Sequence, residues 1–114
     1  MGRIPDRVRA LIYARDGGYC PHCGETEAIG LQHRVGKGMG GSKLLDVPAN
    51  LITFCNVGNA AMEADPVFAA VARENGWQLG RWDDPLTVPV FDAGTGNRWI
   101  LDNTYGKERA IWND

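Results

Sequence analysis

Residues 20–63 read CPHCGETEAIGLQHRVGKGMGGSKLLDVPANLITFCNVGNAAME, and this stretch decides the fold. Residues 29–35 have the length of a short strand, and residues 51–55 are β-branched and aromatic, which is typical of strands. The glycine-rich run at 36–42 is too flexible to continue either strand. A helical pattern begins at Asn59. The stretch therefore predicts two strands followed by a helix.

A helix and a cysteine turn precede the first strand. Residues 5–15 read as a helix, because Pro5 suits the first turn and apolar residues recur at helical spacing. The two glycines at 17–18 end this helix and lead into Cys20-Pro21-His22-Cys23-Gly24. A C-x-x-C turn of this kind can place two thiolates on one metal ion.

A second helix and a β-hairpin follow the first three elements. Asp65 is placed as the N-cap of a helix over residues 66–75, with Gly76 at its C-terminal end. Residues 88–92 and 97–102 flank Ala93-Gly94-Thr95-Gly96, which is a hairpin signal. The fold class is therefore predicted to be α+β.

Length and composition are those of one small globular domain. The chain has 114 residues, 44% of them hydrophobic, so we expect a single domain over 1–114. Its core is expected over about 15–75, with a β appendage over about 77–112. No segment approaches the ~20 apolar residues of a membrane span, and the first residues lack a signal-peptide core. Together with three cysteines, an odd number, this predicts a soluble, cytoplasmic protein with no membrane partner.

The distribution of charge favours a nucleic-acid partner more than the net charge of −2 does. Residues 1–43 carry seven Lys or Arg against four acids, a net of +3, whereas residues 44–114 carry five against ten, a net of −5. The basic half contains the glycine-rich run, so phosphate can be attracted there. We predict nucleic-acid contacts from Arg34, Lys37 and Lys43.

Five short motifs follow one another over residues 15–63: R-D-G-G-x-C-x-x-C-G, L-Q-H-R, G-x-G-G-S, P-A-N-L-I-T-F-C and G-N-x-x-x-E. In order and spacing this set resembles the HNH endonuclease family, in which two strands and a helix hold one divalent ion. The resemblance covers about 50 of the 114 residues. It implies a ββα-metal (HNH) core, to which an N-terminal helix, a cysteine knuckle and a C-terminal β-hairpin are added.

The resemblance also implies an activity and a setting. Such a protein is a metal-dependent endonuclease that hydrolyses phosphodiester bonds in DNA. Compact members of the family imply a phage or mobile element, hence the cytoplasm of a bacterial or phage-infected host cell, and a phage packaging protein as a further partner.

Five residues carry the implied chemistry. His33 matches the base that activates water, and a neutral imidazole can accept a proton near pH 7. Asn50 matches the residue that braces the loop and orients that histidine. Asn59 matches a metal ligand, and Glu63, four residues later, shares its helix face. Gln32 stands where the family commonly has Asp or His as a metal ligand. Oxygen donors of these kinds suit one Mg²⁺ or Mn²⁺ ion.

The cysteines do not complete the zinc site that the family pattern implies. Cys20, Cys23 and Cys55 occupy three of its four positions, and Gly58 stands at the fourth. Zinc would then need a water or His22 as a fourth ligand. Alternatively, the three cysteines pack as small apolar residues, and we expect no stably bound structural zinc.

Two other functions compete with the nuclease. A catalytically decayed HNH scaffold could bind DNA or protein without cutting, which Gln32 and the missing cysteine favour. A thiol-based redox or zinc-sensing protein would depend on Cys20 and Cys23 and not on His33. The tryptophans at positions 77, 82, 99 and 112 are expected in the core more than as stacking platforms for bases.

Overall fold

The computed structural model describes residues 4–36 and 45–111. Within these ranges the chain forms three α-helices, one 3-10 turn and two small antiparallel sheets, so the predicted α+β class is confirmed. No helix of the described part is long and apolar enough to cross a membrane. The elements in chain order are α1 (Asp6–Arg15), β1 (Ile29–His33), a 3-10 turn (Pro48–Asn50), β2 (Leu51–Cys55), α2 (Asn56–Ala64), α3 (Pro66–Glu74), β3 (Val90–Asp92), β4 (Asn97–Leu101) and β5 (Lys107–Arg109).

Helix α1 lies where the sequence predicts it, and its last residue fastens it to the first sheet. The buried guanidinium of Arg15 donates to the carbonyls of Pro48 and Leu51 at 2.8 and 2.6 Å. It also donates to both carboxylate oxygens of Asp16, and one of these, Oδ2, accepts from the backbone N–H of Thr53. The end of α1 is thereby bonded to the strand that follows the 3-10 turn.

Strands β1 and β2 pair antiparallel, from Ile29 opposite Cys55 to His33 opposite Leu51. Strand β2 matches its predicted bounds, whereas β1 ends at His33, two residues early, because the chain bends at Arg34. All five residues of β2 are buried. One side of the strand contacts α1 through Leu51, and the other faces the main core.

Helix α2 begins at Asn56, three residues before the predicted start. The reason is an unusual cap, since the Cys55 sulfur accepts the backbone N–H of Gly58 at 3.1 Å. This bond lets the helix follow β2 without a linker. Helix α3 confirms its predicted N-cap, because Asp65 accepts the backbone N–H of Val67. Gly76 follows α3 with φ +76°, as the predicted C-terminal glycine.

The predicted hairpin forms from β3 and β4, and a third strand, β5, pairs with β4. The sequence did not indicate β5, which is short and exposed on every residue. The link between β4 and β5 is a tight turn in which Asp102 accepts from the backbone N–H groups of Thr104 and Gly106. The hydrogen bonds from Thr104 and Gly106 hold the pKa of the Asp102 carboxyl below its usual value.

The main core joins the C-terminal sheet to β2. Trp77 is 2% exposed and belongs to one cluster with Phe54 of β2 and Val90 of β3. Of the other tryptophans, Trp99 packs against this cluster, and Trp112 lies outside the described residues. The expectation of a core position is wrong for Trp82, which is 88% exposed beside the guanidinium of Arg81.

Arg34 is a structural residue, which corrects its prediction as a nucleic-acid contact. Its side chain is fully buried, and its three nitrogens donate to four backbone carbonyls. These belong to Gly76 at 2.8 Å, Ala49 at 3.0 Å, Pro85 at 2.9 Å and Val88. Burial, with a smaller contribution from the nearby Arg15 charge, lowers the pKa of Arg34 to about 10. A guanidinium in this position cannot reach a phosphate outside.

We expect Arg34→Lys to lower the free energy of unfolding by about 3 kcal/mol, because an ammonium cannot satisfy four separated carbonyls and remains charged in the core. Urea denaturation followed by tryptophan fluorescence measures the change. Arg73→Lys, on an exposed residue of α3, is the matched control, with an expected change below about 0.5 kcal/mol. Equal stability of the two variants would contradict the structural role of Arg34.

Candidate active site

A cleft of about 580 Å³ lies between β1, α2, α3 and residues 78–80. Four residues that the sequence proposed for chemistry line it together: Gln32, His33, Asn59 and Glu63. Gln32 and His33 are neighbours in a strand, so their side chains point to opposite sides. Both nevertheless line the cleft, because it extends around the end of β1. The predicted base and the three predicted metal ligands therefore line one cleft, whereas Asn50 does not line it.

His33 lies at the edge of the cleft as the last residue of β1. Its side chain is 25% exposed, and its Nε2 atom lies 2.7 Å from the Asp46 carboxylate. The ring is thus anchored on one side and within reach of solvent. A histidine held in this way can accept a proton from a water in the cleft.

Asn50 is buried and bonded on both sides of the glycine-rich run. Its Oδ1 accepts the backbone N–H of Val35 at 2.7 Å, and its Nδ2 donates to the carbonyls of Val35 and Leu45 at 3.1 and 3.0 Å. In addition, the Asn50 carbonyl accepts the backbone N–H of Arg34. A residue that braces the loop and holds the end of β1 beside His33 would need hydrogen bonds of this kind.

Gln32 is 8% exposed, and its amide nitrogen is directed into the protein. The Nε2 atom lies 3.4 Å from the Trp77 carbonyl and 3.3 Å from the Met62 sulfur. A carboxylate could not donate to that carbonyl, so the amide suits the interior better than the Asp of the family pattern. Because the nitrogen is held inside, Oε1 is the atom of Gln32 that can coordinate a metal ion in the cleft.

Asn59 and Glu63 bring α2 to the same cleft. The Asn59 Nδ2 atom donates to the Leu31 carbonyl at 3.4 Å, which fastens α2 to β1 and leaves Oδ1 as the ligand atom. Glu63 is exposed one turn further along the helix. Two amide oxygens and one carboxylate are hard donors of the type that Mg²⁺ and Mn²⁺ bind, although they bring only one negative charge.

Two residues of this region were not predicted from the sequence. Asp46 is separated from His33 by the glycine-rich run, and no motif marks it. Arg73 lines the cleft from α3, and its side chain makes no hydrogen bond or ion pair within the described ranges. The sequence analysis did not single out Arg73, which lies in the last turn of α3. Lys37 and Lys43, predicted to contact nucleic acid, lie outside the described residues.

The three cysteines form a separate cluster behind β2. The sulfurs of Cys20, Cys23 and Cys55 all lie within 4.8 Å of one another, so they could hold a metal ion. Thiolates around tetrahedral zinc are about 3.8 Å apart, given Zn–S bonds of about 2.3 Å. Cys23 is exposed, which is contrary to the alternative that all three pack as apolar residues, while Cys20 and Cys55 are buried. Burial raises the pKa of the Cys20 thiol to about 12, so metal binding would have to displace a proton.

The fourth position of the cluster is closed to a side chain. A Cβ on Gly58 would lie 2.6 Å from the Phe54 ring and 2.9 Å from the Cys55 sulfur. A cysteine at 58 would therefore need the helix start to move. His22 does not belong to the group of three, because its ring packs edge-on against Phe68 and Trp77 with centroids 5.0 Å away. A fourth ligand, if required, would come from solvent beside Cys23.

Comparison of the chain with protein-family models, with curated proteins and with solved structures returned no match. The family resemblance therefore stands on the residues and their arrangement alone.

We expect the cysteine cluster to bind one Co²⁺ ion, used as a spectroscopic probe, and to release it to Zn²⁺. Three thiolates on cobalt give strong charge-transfer absorption, which a titration of the reduced, metal-free protein would measure. Cys23→Ser should weaken binding at least about tenfold, because it removes one of three thiolates. His22→Ala is the control and should leave binding unchanged. Equal binding by wild type and Cys23→Ser would show that the cluster is not the site.

Proposed function

We propose that this chain is a metal-dependent endonuclease of the HNH type that hydrolyses phosphodiester bonds in DNA. The observation that carries the proposal is the meeting of Gln32, His33, Asn59 and Glu63 on one cleft. Residues distant in sequence have no structural need to share a cleft, and this set combines a proton acceptor with oxygen ligands.

The order of the elements supports an HNH core. Strands β1 and β2 form an antiparallel pair, and α2 follows β2 directly and is bonded back to β1 through Asn59. This is the succession of two strands and a helix that the family pattern implies. The remaining elements surround it: α1 packs on β2, and the C-terminal sheet shares its core.

In the proposed reaction His33 accepts a proton from a water in the cleft. The resulting hydroxide forms a bond to phosphorus, the bond to the leaving oxygen breaks, and that oxygen takes a proton from solvent. Asn50 keeps the strand end in place, and the guanidinium of Arg73, which pairs with no residue of the described ranges, offers positive charge to the phosphate. Each of these contributions comes from a residue that lines the cleft or is bonded to its edge.

The donor types of these residues suit one divalent ion, which we infer to be Mg²⁺ or Mn²⁺. The oxygens of Gln32, Asn59 and Glu63 would hold it, and such an ion would supply positive charge to the phosphate and the leaving oxygen. Because Glu63 is the one carboxylate among the described residues that line this cleft, binding should be weak without substrate. The phosphate itself would complete the site.

For the cysteine cluster we propose, contrary to the expectation from the sequence, a structural zinc ion with three thiolates and one solvent ligand. The cluster joins the turn before β1 to the end of β2, so an ion there would fix the sheet from behind. Its sulfurs are soft ligands, unlike the oxygens of the cleft. The two sites would therefore select different metals.

A second function, a DNA- or protein-binding scaffold that has lost catalysis, is favoured by one observation. The amide of Gln32 is bonded to the interior, and the described lining of the cleft has one carboxylate where a nuclease commonly has more charge. In that case the cleft would bind phosphate through Arg73 without cutting, and a phage packaging protein would be a reasonable partner.

The nuclease proposal predicts that Mg²⁺ or Mn²⁺ supports cleavage of a supercoiled plasmid and that His33→Ala reduces the rate at least about 100-fold, because the base is lost. Gel electrophoresis of the plasmid measures the rate, and circular dichroism verifies the fold. His22→Ala, which removes the one other histidine of the chain, is the control and should retain activity.

Two results would contradict this mechanism. Cleavage that persists in His33→Ala would exclude His33 as the base. DNA binding by the folded wild type with no cleavage at millimolar Mn²⁺ would favour the scaffold function.

A further inference from the structure

The His33–Asp46 pair is a feature that the proposed function does not require. The Nε2 atom of His33 and the Oδ1 atom of Asp46 are 2.7 Å apart, and the two side chains are 25% and 18% exposed. The contact is short, partly shielded from water, and joins residues on either side of the glycine-rich run. These properties distinguish it from an incidental surface pair.

Asp46 is held in place from both sides by Asn50. The carbonyl of Leu45 accepts from the Asn50 side chain at 3.0 Å, and the carbonyl of Val47 accepts from the Asn50 backbone at 2.9 Å. The residue between them is therefore fixed relative to the 3-10 turn. His33 is fixed on the opposite side by its pairing with Leu51 at the end of the sheet. The carboxylate and the ring consequently meet in a defined geometry.

A carboxylate next to an imidazole determines which ring nitrogen carries the proton. An ionised Asp46 can only accept a hydrogen bond, so the Nε2 atom facing it must be the donor. Neutral histidine has one N–H group, and the lone pair is then on Nδ1. Of the two nitrogens, Nδ1 is left to accept a proton from water.

We propose that Asp46 is a positioning residue that holds His33 in the Nε2–H tautomer, so that Nδ1 is the basic atom. The catalytic part rests on the proposed nuclease function, while the tautomer itself does not. When Nδ1 takes a proton from water, both nitrogens carry protons, and the negative carboxylate stabilises the imidazolium that has formed. The proton later leaves Nδ1 to solvent.

The tautomer can be measured without substrate, metal or activity. The chain has two histidines, so long-range ¹H–¹⁵N spectra of uniformly ¹⁵N-labelled protein at about pH 8.5, where an ordinary histidine is neutral, give two ring patterns. We expect His33 to show the Nε2–H pattern in the wild type. Asp46→Asn should keep it, because the Asn oxygen can still accept, whereas Asp46→Ala should give a mixture of tautomers. His22 is the internal reference and should not change.

An Nδ1–H pattern for His33 in the wild type would overturn the proposal. So would a His33 pattern in Asp46→Ala identical to that of the wild type, provided that the variant is folded. These outcomes are independent of whether the protein cleaves DNA, so a failure of the nuclease function leaves this test intact.

The kinetic part is tested by the same variants in the plasmid assay. Both Asp46→Asn and Asp46→Ala should lower kcat by roughly 10- to 100-fold with KM within about twofold, since both remove the charge that stabilises the imidazolium. Glu108→Gln, on exposed strand β5, is the charge-matched control. A kcat within twofold of wild type in Asp46→Ala would show that Asp46 does not assist His33.

Discussion

The guanidinium of Arg34 is the interaction on which the arrangement of this protein depends most. Arg34 follows His33 directly in the chain. Its guanidinium is buried where the 3-10 turn, the end of α3 and the chain before β3 meet. A buried cation is unfavourable unless its donors are satisfied, and here four backbone carbonyls satisfy them. The same bonds give partners to carbonyls that irregular chain would otherwise leave unpaired in the interior. One side chain thereby holds three irregular segments against the end of β1.

This anchor also explains why His33 stands at the cleft. Arg34 fixes the chain directly after His33, and because side chains alternate within β1, His33 lies on the opposite side from the inward-directed amide of Gln32. Asn50 reinforces the arrangement, because it bonds the backbone on both sides of the glycine-rich run. Asp46, positioned by Asn50, then contacts the His33 ring. The proposed base is thus held by a chain of bonds that begins in the core and ends at the cleft edge.

Local signals in the sequence predicted a large part of this fold. The bounds of β2, the N-cap at Asp65 and the hairpin around residues 93–96 depend on near neighbours along the chain, and they agree with the structure. The start of α2 was placed late, because a cysteine sulfur acting as a helix cap is not among the usual capping side chains. Strand β5 was missed, because three exposed charged residues carry no apolar alternation.

The sequence predicted which residues would form the candidate site, but it did not predict the contacts that these residues make. The resemblance to the HNH family identified Gln32, His33 and Asn59, and helical spacing added Glu63; all four line one cleft of the structure. Arg34 was misassigned, because arginine is usually exposed and only long-range contacts reveal a buried one. Asp46 and Arg73 were missed for the same reason, since their proposed roles depend on residues that are close to them in space and distant along the chain.

The central claim, that the cleft beside His33 is a divalent-metal site, is tested most directly by locating Mn²⁺ on the protein. Paramagnetic broadening in ¹H–¹⁵N spectra during a Mn²⁺ titration identifies the amides nearest to the bound ion. The account predicts that signals of residues 31–33, 59 and 63 broaden first, and that Glu63→Gln abolishes this effect. Broadening confined to other acidic positions, such as Asp83 and Asp84, with the cleft unaffected, would contradict it.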